Sequence, residues 1–153
     1  MSHDLLKIGK SKFGNGVFAN SIILRGERLL ELTGSIVSYS DTTEMGIFES
    51  YPIQIDFDKY VIPESPFCYI NHSCDPNCGI IEGRFLIAIK NIGVNEELFY
   101  DYSTTMLERS WEMECSCNSD LCRKFIQDFD LLPTQLQKYY LDFNIVQPFI
   151  RNK

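Results

Sequence analysis

The residues of this sequence best suited to chemistry are its cysteines. There are six: Cys68, Cys74, Cys78, Cys115, Cys117 and Cys122, the last three in a CxCxxxxC run. Three thiolates so closely spaced can converge on one tetrahedral ion, with Zn–S bonds of about 2.3 Å. A structural zinc takes a fourth ligand. Cys74 or Cys78 must supply it from far away in sequence, pinning the C-terminal segment onto the middle of the chain. The alternative is a set of buried free thiols, but residues 115–124 hold too few apolar side chains to favour it. Cys68 lies in an apolar run and reads as core.

Three further segments carry polar groups in unusual arrangements. Asn71-His72-Ser73-Cys74-Asp75-Pro76-Asn77 is a turn-rich loop. A buried Asn in it would offer donors and an acceptor to a zwitterionic ligand. His72 taken alone reads equally well as a core histidine. Glu97-Leu98-Phe99-Tyr100-Asp101-Tyr102 puts two phenols at alternate positions, which face one side of an extended chain. Two such phenols suit a narrow channel with polar tips, or an ordinary half-buried pair. Phe13-Gly14-Asn15-Gly16-Val17-Phe18 has two glycines that let backbone approach a ligand. No third glycine and no strand–helix unit follow, so it is not a dinucleotide fingerprint.

Taken together, and in this order, the four segments resemble the SET-domain family of protein-lysine methyltransferases, in a compact form with a post-SET zinc cluster. The resemblance covers about residues 5–126, and residues 127–153 resemble the helical tail of some compact members. It implies a mainly β fold of small curled sheets with a C-terminal pseudoknot, in which the NHSC segment and the DY strand cross. It implies S-adenosylmethionine held around Gly14, Gly16, Val17 and Phe18, with Asn71 and His72, and Phe125 packing near the cofactor. It implies zinc held by Cys74, Cys115, Cys117 and Cys122, with Cys78 spare. Tyr102 becomes the central catalytic tyrosine, Tyr100 the phenylalanine/tyrosine position that sets product methylation, and Tyr51 a tyrosine of the substrate channel. The chain departs from the family pattern in having Cys68-Tyr69 where Arg-Phe is frequent, and Asn95 where glycine usually precedes Glu-Glu-Leu. It also has a short stretch between residues 40 and 65 and no pre-SET cysteine cluster.

These groups must be positioned mostly by strands. LLKIG (5–9) and GVFAN (16–20) read as short strands, and RLLELTGSIVSY (28–39) as two strands broken at Gly34. YPIQIDF (51–57) alternates as a half-buried strand, and CGIIE and RFLIAIK flank Gly83 as a hairpin. TTMLERSWEME (104–114) reads as a helix capped by Thr104 or Thr105. PTQLQKYYLDF (133–143) reads as a helix with Pro133 in its first turn and Leu136, Tyr139, Tyr140 and Phe143 on one face. The expected organisation is a SET domain over 1–103, a post-SET zinc-binding segment over 104–126 and a C-terminal helical extension over 127–153.

With 153 residues the chain suits one domain. It carries a net charge of −7, and its densest basic stretch is only Lys7, Lys10 and Lys12. That excludes the usual footprint of direct nucleic-acid binding and favours basic partners. No secretory pattern opens the sequence and no apolar run nears the roughly 18 residues of a bilayer span. A soluble intracellular protein is expected, nuclear in a eukaryote and otherwise cytoplasmic or a secreted effector. The expected activity is methyl transfer from S-adenosylmethionine to a protein lysine, with a basic histone tail as substrate. A non-histone target is the alternative, and so is an inactive SET fold that only binds protein.

Overall fold

The computed structural model of this chain describes residues 3–46, 51–109 and 111–153. Its strands form small, separate sheets. A hairpin of β1 (Leu6–Ser11) and β2 (Gly14–Ala19) pairs antiparallel from Leu6 with Ala19 to Ser11 with Gly14. Gly14, directly after the two-residue turn Lys12-Phe13, has φ = +102°, a conformation that glycine adopts without strain. β3 (Arg28–Glu31), β9 (Phe85–Ala88) and β8 (Cys78–Ile81) make one three-stranded antiparallel sheet. β4 (Gly34–Val37), β6 (Lys59–Pro63) and β5 (Ile53–Asp56) make another. The break between β3 and β4 falls at Gly34 (φ +150°), where a Cβ would collide with the Ile62 carbonyl.

The crossing expected of the pseudoknot is a parallel pair, β7 (Asn71–His72) with β10 (Phe99–Tyr100), joining Asn71 to Phe99 and His72 to Tyr100. Short as it is, it is locked from the side. Asn77 receives the Phe99 N–H at 2.9 Å and donates to the Glu97 carbonyl at 2.8 Å. The loop leading into β10 turns at Asn95, whose φ is +67°. Asparagine tolerates the left-handed region that the family's glycine would enter freely, and Lys7 Nζ holds its side chain at 2.6 Å.

The core lies between the sheets, with Val17, Ile23, Leu29, Ile80, Leu86 and Leu98 at most 1% exposed. Each such side chain contributes roughly 1.5–3 kcal/mol by leaving water. A second apolar cluster joins Ile89 and Leu107 to Phe129, Leu132, Tyr140, Ile145 and Ile150. It seats the C-terminal helices α2 (Thr134–Asp142) and α3 (Pro148–Arg151), which follow the short helix α1 (Tyr39–Thr43) in the chain. Pro133 stands one residue ahead of α2, as its N-cap, and not inside the first turn. Of the expected apolar face, Tyr140 is fully buried, Leu136 and Phe143 are partly buried, and Tyr139 is 44% exposed.

The helix expected over 104–114 does not form. Tyr102–Thr105 is a single 3₁₀ turn, and β11 (Met113–Glu114) pairs with β12 (Phe125–Ile126). The backbone groups a helix would pair are taken by distant side chains. Gln54 brackets the Leu107 backbone (2.8 and 3.1 Å), and Asp128 accepts from the N–H groups of Glu108 and Arg109 (3.1 and 2.7 Å). Arg109 itself turns left-handed at φ +60°. Among the described residues no helix is long and apolar enough to cross a membrane.

Candidate active site and metal centre

Four thiols meet where CxCxxxxC was expected to close. The sulfurs of Cys74, Cys115, Cys117 and Cys122 lie within 4.8 Å of one another, those of Cys74 and Cys115 at 3.8 Å. Bonds of about 2.3 Å at tetrahedral angles put zinc-bound sulfurs about 3.8 Å apart, so this donor set fits a closed structural zinc site. Burial pushes the Cys74 thiol up and Cys115 to about 11. Against its own burial, Cys117 is brought down to about 7, chiefly by N–H donors from the backbone. Cys78 is fully buried away from this group, its thiol raised by burial, and serves the core. The choice between Cys74 and Cys78 is thus decided by topology: the turn after β7 carries Cys74 to the cluster, while Cys78 begins β8.

Beside the thiols lies a cavity of about 650 Å³. The NHSC loop, the DY segment and the β1–β2 turn all contribute to its wall. Asn71 ties two of them together: its amide donates to the Asn15 carbonyl at 2.9 Å and to Glu97 Oε1 at 3.0 Å. Gly14, Asn15, Asn71 and His72 line the cavity, as do Cys115 and Cys117. Gly16 is not in the wall; a Cβ there would strike the Glu97 carboxylate, so its smallness serves this junction. Val17 is fully buried in the core and Phe18 packs on Gly9. Phe125 is 44% exposed and outside the wall, which takes its neighbour Ile126. Strand alternation puts only one of those two side chains on the inner face.

The two tyrosines converge as their spacing suggested. Their rings are 4.8 Å apart, both line the cavity, and burial raises both phenols above their ordinary range. Tyr102 donates its hydroxyl proton to the Ile70 carbonyl at 2.7 Å, and its backbone N–H to His72 Nδ1 at 3.0 Å. The Tyr100 hydroxyl has no hydrogen-bond partner among the described residues. Tyr51, 40% exposed, stands in the same wall. So do Tyr39, Tyr60, Tyr69 and Trp111, and Tyr60 donates to the Glu108 carboxylate.

His72 is a structural histidine by its side chain. Burial lowers its pKa to about 4, although Asp101 pulls the other way, so the ring is neutral. Nδ1 accepts from Tyr102, which leaves Nε2–H facing Cys74 Sγ at 3.3 Å. Sequence reasoning passed over Asp101 and Arg123. Asp101 is 1% exposed and receives both guanidinium nitrogens of Arg123 at 2.8 and 2.9 Å. A charged residue fixed between two cavity-lining tyrosines, and an arginine directly after the last clustered cysteine, were the available signals.

The comparisons with known proteins agree with this geometry. The SET-domain family profile matches residues 14–103, and the chain belongs to that family. Among its relatives is histone-lysine N-methyltransferase SETD1 of Drosophila melanogaster, 32% identical over 138 residues, which span 77% of this chain and 8% of that protein. Human histone-lysine N-methyltransferase 2B is 27% identical over 129 residues, 74% of this chain and 5% of that one. The chain therefore spans less than a tenth of the length of these two relatives. A similar solved structure is a humanized mutant of the Chaetomium thermophilum Polycomb Repressive Complex 2 bound to the inhibitor GSK126. It has a TM-score of 0.58 and 26% identity, over 74% of this chain and 17% of that one. Another is ctPRC2 in an autoinhibited conformation bound to S-adenosylmethionine, with a TM-score of 0.58 and 28% identity, over 70% of this chain and 16% of that one.

Proposed function

We propose that this chain transfers a methyl group from S-adenosylmethionine to the side-chain amine of a protein lysine, with a basic histone tail as the substrate class. One observation carries the reading: Tyr102 and Tyr100 line the same cavity as Gly14, Asn15, Asn71 and His72, directly beside the four-thiol cluster. S-adenosylmethionine bound there supplies an electrophilic methyl carbon next to a sulfonium. Its holders would be the backbone at Gly14 and Asn15 and the strand at Asn71 and His72. Zinc would sit on Cys74, Cys115, Cys117 and Cys122 as a structural ion, clamping residues 115–122 along the cavity.

The chain's own residues then handle the amine. A lysine with its ordinary pKa near 10.4 is free amine only about one part in a thousand near neutral pH. An aromatic wall removes water and disfavours the ammonium, as does a neighbouring cation. Tyr102 stays protonated because burial raises its pKa, so it orients and does not deprotonate. With its proton on Ile70 O, its oxygen lone pairs accept from the entering amine. No separate base is required, and the proton leaves to water. Positioning for in-line attack supplies the rest.

The net charge of −7 favours a basic peptide over nucleic acid, and the aromatic wall of Tyr39, Tyr51, Tyr60 and Trp111 suits a cationic guest. With such a substrate the protein would work in the nucleus of a eukaryotic source. Incubating the pure protein with labelled S-adenosylmethionine and an array of histone and non-histone peptides tests this. Label on lysine supports the reading, and the array ranks the substrates. Cofactor binding without label on any peptide would favour an inactive, protein-binding SET fold.

A further inference from the structure

The C-terminal helix reaches the active site through one buried hydroxyl. Tyr140, on α2, is 0% exposed and donates to Asp101 Oδ2 at 2.8 Å. Asp101 is the residue just before Tyr102, and its side chain is fully removed from solvent. Its carboxylate accepts four hydrogen bonds from three parts of the chain. Arg123 grips both oxygens, Tyr140 holds Oδ2, and the Ser103 N–H donates to Oδ1 at 3.0 Å. The last bond makes Asp101 the N-cap of the 3₁₀ turn that contains Tyr102. Arg123 also reaches Ser103 Oγ at 3.3 Å, and its backbone N–H points at Cys74 Sγ at 3.4 Å. Neither Tyr140 nor Arg123 lines the cavity.

We propose that Tyr140 and Arg123 are positioning residues for Tyr102, acting through Asp101. A carboxylate buried this deeply needs its donors to hold one orientation, because an unsatisfied charge is costly in a dry site. That orientation fixes where the 3₁₀ turn begins. The turn in turn sets Tyr102, whose backbone N–H is already committed to His72 Nδ1 and whose ring hydroxyl is committed to Ile70 O. Removing one donor lets the carboxylate rotate toward the remaining ones and drags the turn with it. A displacement of under 1 Å at Tyr102 is enough to slow an in-line transfer. The C-terminal extension is therefore part of the catalytic assembly, although it touches neither substrate nor cofactor.

The proposal rests on the lysine methyltransferase reading, and two independent readouts separate them. Tyr140→Phe keeps the ring in the core and deletes only the hydroxyl; Arg123→Lys keeps the charge and deletes the bidentate grip. In steady-state assays on an unmodified lysine peptide that the wild type methylates, each variant is expected to lower kcat about five- to tenfold. KM for peptide and for S-adenosylmethionine should stay within about twofold. The double variant should fall little further than either single one, since both act on one carboxylate. In amide NMR of the zinc-loaded protein, Tyr102 and Ser103 should shift and exchange faster in Tyr140→Phe, with the β1–β2 hairpin unchanged. A kcat within twofold of wild type, or unmoved Tyr102 and Ser103 amides, overturns the proposal. A wild-type protein without activity sinks the methyltransferase reading alone, and the NMR result still decides the positioning role.

Discussion

The Tyr102 hydroxyl donates to the carbonyl of Ile70 at 2.7 Å, two residues in front of the histidine that accepts the Tyr102 backbone N–H. The phenol is thereby aimed before any ligand arrives, with its lone pairs left for a donor in the cavity. Tyr102→Phe removes that acceptor and leaves the ring. Both kcat and kcat/KM should fall together, by well over tenfold. Binding of S-adenosylmethionine, followed by calorimetry, should be largely kept. Activity above about a tenth of wild type, a loss of under about 1.4 kcal/mol, would show that another tyrosine does this work.

One zinc per chain is expected from the sulfur geometry. Cys117→Ser should lose the metal and the activity in parallel, because residues 115–117 form part of the cavity wall. Elemental analysis of protein prepared without chelator checks the stoichiometry. A metal-free but fully active wild-type preparation would refute the assignment.

Tyr100 is the residue we expect to set product choice. Its hydroxyl has no protein partner among the described residues, yet the side chain is only 4% exposed and lines the cavity. That leaves it to hold a water where a methylated amine would need to turn. One hydrogen bond is worth about 1 kcal/mol net, enough to bias products by several-fold but not to forbid them. Mono- and dimethyllysine should dominate in the wild type, and Tyr100→Phe should shift products toward trimethyllysine. Mass spectra of a peptide over a time course decide it; an unchanged product ratio in the variant would remove Tyr100 from this role.

Gly79 on β8 tests how the C-terminal tail is seated. A Cβ there would lie 2.5–2.8 Å from the side chain of Ile145, which is 1% exposed. Ile145 has no room to retreat inside the second apolar cluster. Gly79→Ala should cost about 1–3 kcal/mol by overpacking. Urea unfolding at constant m-value would register this as a lower midpoint. A midpoint equal to wild type would mean that the tail repacks freely.

The family, most strands and, from spacing alone, three of the four clustered thiols were legible in the sequence, because these signals are local. CxCxxxxC needs only short-range geometry, alternation marks β5 and β9, and Gly14 and Gly83 sit where positive φ is required. Tertiary structure decided what depends on partners far along the chain. The helix that 104–114 could form as an isolated segment gave way because Gln54 and Asp128 take its backbone groups. Spacing alone leaves Cys74 and Cys78 open, and the family resemblance assigns Cys74; the physical reason is the turn between β7 and β8, which carries Cys74 to the cluster. Asp101, Arg123 and Tyr140 look like unrelated residues in sequence; a buried charge that must be satisfied brings them together. Local pattern fixes which groups exist and how their own strand or turn presents them. Satisfying buried polar groups across the core is a global condition, and no short window of sequence contains it.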